Sequence, residues 1–193
     1  MAIFAHKSDS KIRPPQVRKL THEELVARQM RTAGALAGDR TPVAALLDNV
    51  RSLYNVGSIF RTSDGARIQK LYLCGYTPAP PRKEIEKTAL GATETVPWSH
   101  HRDPLEAVAS ARAAGMKICV LEHTSSSVPI WAVSKADFPL CLIIGNELSG
   151  VSEALIAASD MAVEIPMYGT KQSLNAAVAY GIAVFELVRV LKA

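Results

Sequence analysis

The sequence predicts an α/β domain built on a parallel sheet covered by helices. From residue 42 onward, short runs of branched apolar residues alternate with helical segments. The runs are apolar at successive positions, so both faces of the strands are expected to be covered, as in parallel sheets. Unusual polar and glycine residues gather just after three of the runs, where open α/β sheets place their ligands.

Taken in order, "RPP" at 13–15 disfavours helix, and "THEELVARQMRTAGALAG" then offers Thr21 with Glu24 as a capping box. A helix is expected over about 22–36, ended by Gly34 or Gly38. Strands are expected near 43–49, 70–74, 94–98, 117–122, 140–145 and 162–166. Helices are expected near 55–66, 84–90, 103–114, 151–158 and 173–191. The stretch "HTSSSVPIWAV", 123–133, reads as a polar loop.

At 193 residues and 20.8 kDa the chain fits one domain able to fold on its own core. No apolar run reaches the roughly 18 residues of a membrane span, and the N-terminus lacks the apolar stretch of a signal peptide. A cytoplasmic protein without membrane partners is the expectation. Cys74, Cys119 and Cys141 each lie in an apolar run and read as buried thiols; no Cys/His cluster points to a metal. His100 and His101 lack a partner at useful spacing and read as a solvated pair. Residues 1–40 carry eight Lys/Arg against four acids and the rest is balanced, so the net charge of +4 resides in this arm. A basic arm on a neutral body fits a polyanion, although a solvated tail would carry the same charge.

Three strand-end constellations stand out. In "LDNVRSLYNVGSIFRTSDGA", 47–66, Asn55 can cap the following helix, Gly57 permits close approach, and Arg61 stands beside an apolar stripe of Val56, Ile59 and Phe60. Arg61 suits a phosphate or a ribose oxygen, or merely faces solvent. In "LCLIIGNELSGVSEALI", 140–156, a buried strand runs into Gly145, Asn146 and Glu147, then Gly150 and a helix capped by Ser152. The dinucleotide fingerprint GxGxxG is missing, which argues against an NAD site. In "IPMYGTKQSLN", 165–175, Pro166 stops the ladder, Gly169 allows an unusual backbone angle, Ser173 can cap the last helix and Asn175 would lie in its first turn. That helix is apolar nearly all round, so it needs the sheet on one side and a second subunit on the other, which makes a homodimer the expectation.

In this order, "NVGSIFRT", "LIIGNELSGVS" and "IPMYGTKQSLNAAVAYGIAVFE" resemble the three motifs of the SpoU (TrmH-like) RNA 2′-O-ribose methyltransferases of the SPOUT superfamily. The resemblance spans about residues 43–190 and treats 41–193 as the methyltransferase domain, preceded by the basic arm, 1–40, with its helix. It implies a C-terminal deep trefoil knot, S-adenosylmethionine as cofactor, a homodimer, and tRNA or rRNA as partner. It also places catalytic roles on Asn55, Arg61, Glu147, Ser173 and Asn175. A cofactor cradle is implied at Leu121, Glu122, Ile144, Gly145, Asn146, Ile165, Met167, Ser173 and Leu174, with no metal.

The implied reaction is an in-line transfer of methyl from sulfonium to a ribose 2′-hydroxyl, in which alignment dominates. The family's proposed proton acceptor, here Arg61, conflicts with an arginine's ordinary pKa above about 12; a neighbouring sulfonium favours the neutral form and a substrate phosphate the guanidinium. Two alternatives share the fold: methylation of a base, or RNA binding without catalysis. Several members carry a separate RNA-binding domain, whereas about 40 residues are too few for one. RNA recognition is therefore expected from the arm, its helix and the dimer surface. Lys171, apolar in many relatives, reaches either a phosphate or solvent.

Overall fold

The computed structural model describes residues 17–35 and 40–193. The chain divides into two compact units, 1–39 and 40–193. Of the first, the described part holds α1 (His22–Ala35). Thr21 and Glu24 form the expected reciprocal cap, with Glu24 N–H donating to Thr21 Oγ1 at 3.2 Å and Thr21 N–H donating to Glu24 Oε2 at 2.8 Å. The Arg18 guanidinium grips the same carboxylate at 2.6 Å and, together with the cap, lowers its pKa to about 2. Helix α1 runs through Gly34, which therefore does not end it. Gly38, the "RPP" segment and the basic residues Lys7, Lys11 and Arg13 lie outside the described residues.

The second unit is a seven-stranded sheet in the order β3-β2-β1-β6-β4-β7-β5, with every neighbouring pair parallel. Its strands are β1 (Thr41–Asp48), β2 (Ile68–Cys74), β3 (Trp98–His101), β4 (Lys117–Leu121), β5 (Val128–Pro129), β6 (Leu140–Ile144) and β7 (Met161–Glu164). The helices are α2 (Leu53–Ala66), α3 (Lys83–Ala89), α4 (Ala92–Thr95), α5 (Pro104–Ala113), α6 (Glu153–Ala157) and α7 (Ala176–Lys192).

Side-chain alternation explains why the central strands are apolar throughout. Val43, Ala45 and Leu47 of β1 point into a core shared with α2, α3 and α7, while Ala44 and Leu46 point into a second core under α5 and α6. On β6, Leu140, Leu142 and Ile144 divide in the same way from Cys141 and Ile143. All three cysteines are buried as expected, and burial pushes Cys74 and Cys119 up to about 12. The last helix locks onto α2 through a buried hydrogen bond of 2.6 Å between Ser63 and Tyr180.

Several local expectations change. Residues 94–98 do not form a strand: "ATET" makes α4, and β3 begins at Trp98 because Val96 is the residue buried beneath the turn. His100 and His101 are therefore strand residues, and His101 is a partly buried ring tilted against Tyr72 rather than solvated. Within 123–133, Val128 and Pro129 pair with Val163 and Glu164 and extend the sheet by one strand. A two-residue strand has no periodicity to read, so its polar flanks masked it.

Between β1 and β6 the chain's progress across the sheet reverses direction, which opens a crevice beyond their carboxyl ends.

Candidate active site

Three connections converge on that crevice, and each is fixed by side-chain hydrogen bonds. After β1, Ser52 is the residue that caps α2, accepting from Asn55 N–H at 3.2 Å. Asn55 thus sits in the first turn instead of capping it, which frees its side-chain amide. After β6, the loop 145–151 is closed by paired backbone hydrogen bonds between Asn146 and Gly150, both 2.9 Å. Before α7, Asn175 rather than Ser173 is the cap, accepting from Ala177 and Val178 N–H.

The three meet in one chain of hydrogen bonds. Asn175 Nδ2 donates to Asn55 Oδ1 at 3.1 Å, and Asn55 Nδ2 donates to Glu147 Oε1 at 3.0 Å. Glu147 also accepts from Arg51 N–H at 2.9 Å and Ser52 N–H at 3.1 Å, two donors before α2 that lack helical partners. Partial burial by itself would raise the Glu147 carboxyl, but the donors from Arg51, Ser52 and Asn55 hold it below the ordinary glutamate value.

Beside this chain lies a cleft of about 420 Å³ beyond the ends of β4, β6 and β7. Leu121 and Glu122 form one wall, Ile144, Gly145 and Glu147 a second, and Ile165, Met167, Ser173 and Leu174 a third. Of the residues expected to cradle a cofactor, Asn146 alone does not line it. Its amide is committed elsewhere, donating to Asn49 O at 2.7 Å and to Tyr76 Oη at 2.9 Å, while its oxygen accepts from Leu148 and Ser149 N–H. Asn146 shapes the loop from behind. Glu122 serves the loop from the front by accepting from Val151 N–H at 3.0 Å.

Arg61 projects from α2 into solvent and, among the described residues, makes no hydrogen bond. It does not line the cleft; neither do Asn55 and Asn175. Lys171 is exposed. Gly57 faces α3, where an added Cβ would stand 2.1 Å from Thr88 Oγ1, so it permits helix packing rather than ligand approach. Gly169 does not adopt a positive φ.

Sequence reasoning missed several participants. Asp48 is buried at the end of β1 and accepts from Ser152 N–H at 2.9 Å, tying β1 to the start of α6. Its signal was a lone acid closing an apolar run. His123 and Glu164, 3.2 Å apart, also line the cleft, and hydrogen bonds from Ser127 and His123 lower the Glu164 carboxyl. Their pairing spans two strands and leaves no local spacing to detect. Among the described residues no cluster suited to a metal ion occurs, and no helix is long and apolar enough to cross a membrane.

The cleft suits a cofactor with a cationic centre and an apolar body. Glu122, Glu147, Glu153 and Glu164 stand around it, with Leu121, Ile144 and Leu174 as apolar surface. Such a volume falls in the usual range of about 300–1,000 Å³ for small-molecule sites.

Comparison with known proteins shows the family of the chain. Residues 42–185 match the model of the SpoU rRNA Methylase family. The tRNA (guanosine(18)-2′-O)-methyltransferase of Escherichia coli is 26% identical over 84% of this chain and 69% of its own length. A 23S rRNA (guanosine-2′-O-)-methyltransferase RlmB of Vibrio parahaemolyticus is 29% identical over 80% of this chain and 62% of its own. The crystal structure of the A. aeolicus TrmH/SpoU tRNA modifying enzyme superposes with a TM-score of 0.73, 28% identity and coverage of 88% and 85% of the two chains. The AdoMet-bound rRNA methyltransferase from Sinorhizobium meliloti gives a TM-score of 0.73 at 30% identity, covering 79% of this chain and 58% of that one. With the matched region holding all seven strands but for Thr41 and all three converging connections, the chain belongs to the SpoU methylase family.

Proposed function

We propose that this chain is an S-adenosylmethionine-dependent RNA methyltransferase, cytoplasmic, that modifies a ribose 2′-hydroxyl of tRNA or rRNA and works as a homodimer. The observation that carries the reading is the Asn175–Asn55–Glu147 chain, which joins all three family motifs at the rim of an acidic cleft. Bound in that cleft, S-adenosylmethionine supplies an electrophilic methyl group on a cationic sulfur. Leu121, Ile144, Gly145, Ile165, Met167 and Leu174 would hold its body, and Ser173 would face it from the third wall. Glu147 orients the first turn of α2, and Asn55 and Asn175 present amides toward an incoming ribose. Arg61, on the same helix, holds the substrate backbone and favours loss of the hydroxyl proton.

The knot belongs to the same reading. β7 lies outside β4, yet the chain then returns so that α7 packs against α2 and β6; the return is proposed to thread the loop that joins β4 to β6. The dimer reading is supported by α7, whose inner face buries Tyr180, Val184 and Leu187 while Val178, Ile182 and Phe185 remain about half exposed one turn apart. The basic arm, residues 1–40, is assigned to sequence-independent RNA affinity.

Calorimetry with S-adenosylmethionine should show saturable binding, and digestion of product RNA followed by mass spectrometry should find a methylated ribose. A methylated base would redirect the chemistry to another SPOUT branch. Arg61→Ala should slow single-turnover transfer by about 10²–10³-fold with cofactor affinity kept; near-normal turnover would remove Arg61 from the mechanism.

A further inference from the structure

A second cleft, of about 480 Å³, opens beyond the carboxyl ends of β1, β2 and β3. Arg51, Arg82 and His100 line it, and the lining contains neither aspartate nor glutamate. Among the described residues, the two guanidinium groups and the His100 ring form no hydrogen bond or ion pair with protein. Guanidinium groups left without partners in a shared concavity concentrate positive potential suited to phosphate.

The wall between them is built to hold one ring. Tyr76 N–H donates to Asn49 Oδ1 at 3.1 Å, and Tyr76 Oη accepts from Asn146 Nδ2 at 2.9 Å, so the residue is fixed at both ends. It is nonetheless 61% exposed. Thr77 anchors the turn behind it, accepting from Val50 N–H at 3.0 Å and donating to Leu47 O at 3.1 Å. An immobilised aromatic beside unpaired arginines is the combination that takes an unstacked nucleotide.

The cleft also adjoins the reacting centre. The backbone N–H of Arg51 donates to Glu147, and Asn146, which holds Tyr76, is the next residue in the chain. We infer that this cleft is a subsite for a single-stranded nucleotide flanking the modified one, its phosphate held by Arg51 and Arg82 near His100 and its base stacked on Tyr76. The inference rests on the reading of the substrate as RNA.

The test uses the full chain and two labelled probes, a seven-nucleotide adenosine RNA and its abasic sugar-phosphate counterpart, followed by fluorescence anisotropy across a salt series. Arg51→Ala with Arg82→Ala should weaken both probes about tenfold or more and flatten the dependence of log affinity on log salt by about 0.7 for each phosphate no longer held. Tyr76→Ala should weaken the adenosine probe by about fivefold or more and leave the abasic probe unchanged, since only a base can stack. Unchanged affinity and salt slope in the double arginine variant would overturn the phosphate site, and equal responses of the two probes to Tyr76→Ala would overturn the stacking platform. Arg82→Gln alone, at an exposed position, carries the same expectation at half the slope should the double variant not fold. Calorimetry with S-adenosylmethionine on the same proteins separates the readings. Wild-type chain that binds RNA through this cleft but shows no saturable cofactor heat would end the methyltransferase assignment and keep the subsite.

Discussion

Two loops border the acidic cleft, 145–151 after β6 and 165–174 after β7, and they look alike in sequence. Each leaves a strand, carries glycine and small polar residues, and leads into a helix. Physically they are opposites. In the first, Asn146 and Gly150 pair their backbones, the Asn146 side chain accepts from two further amides, and Glu122 takes the N–H of Val151. In the second, Tyr168 is 90% exposed and, among the described residues, no atom lies within 4 Å of where a Gly169 Cβ would stand and no side chain from Ile165 to Leu174 makes a hydrogen bond, the next being at Asn175. The comparison teaches that a glycine-rich strand end marks a site without saying which side of it is already built. The first loop is a finished wall; the second is left open.

The largest expected effect breaks the finished wall. A Cβ at Gly145 would stand 2.1 Å from the carbonyl carbon of Gly150 and 2.2 Å from Val151 N, both backbone atoms that cannot rotate away. Gly145→Ala should therefore cost about 3 kcal/mol or more of unfolding free energy, measured in urea, and abolish cofactor binding along with it. A stable variant with normal affinity would show that the loop is not rigid.

Glu147 tests how the finished loop reaches α2. Glu147→Gln keeps the shape but replaces one acceptor oxygen with an amide, so either Arg51 N–H, which uses Oε2, or the pair Ser52 N–H and Asn55 Nδ2, which shares Oε1, loses its acceptor. Because the carboxylate is largely solvated, the expected loss is only about 1 kcal/mol. Its pH dependence is more telling. Folding lowers this pKa, so the stabilisation is complete above the ordinary glutamate value of about 4.3 and drains away as pH falls through the lower folded value. In acid titrations of stability, wild type should lose more than Glu147→Gln below that point. Parallel curves would mean that the hydrogen bonds do not favour the charged form.

Asn175 marks the boundary between the open loop and α7. Asn175→Ala removes a cap with two donors and the link to Asn55. About 1 kcal/mol is expected, a fall in melting temperature of about 3 °C for a chain of this size. Asn175→Asp should recover the cap but not the donation to Asn55. If the aspartate also recovers methyl transfer, the amide link plays no part in the reaction.

The sheet was legible because its signal is collective: buried central strands such as "AALL" and "LCLII" need cover on both sides, and two helical layers supply it. Asn55, Glu147 and Asn175 were legible because short polar side chains after such strands need a reason to be there. Their partners were not. Caps shift by two or three residues when several candidates stand in a row, as Ser52 for Asn55 and Asn175 for Ser173 show. Asn146 looked like a ligand contact because its neighbours on both sides line the cleft, but the direction of a side chain in a tight loop depends on which distant atoms answer it, here Asn49 O and Tyr76 Oη. Arg51 and Arg82 come from two separate connections and His100 from strand β3, and they share no spacing, so only the assembled sheet brings them to one cleft.

The smallest expected effect is also the sharpest check on the open loop. Gly169 reads in sequence like Gly145, a glycine amid polar residues after a strand, and is one that allows a backbone angle other residues resist. Its φ is not positive, and nothing lies near the missing side chain. Alanine at such a site meets neither strain nor a neighbour and restricts the unfolded chain, which stabilises by about 0.4–1 kcal/mol when the native angles suit it. Gly169→Ala should therefore leave the urea midpoint unchanged or slightly raised. Any penalty it carries should emerge with S-adenosylmethionine present, where the loop must settle against a ligand. A melting temperature equal to wild type without cofactor but a smaller rise with it would show that this stretch orders on binding. Equal rises would mean that the loop is as complete as the one it faces.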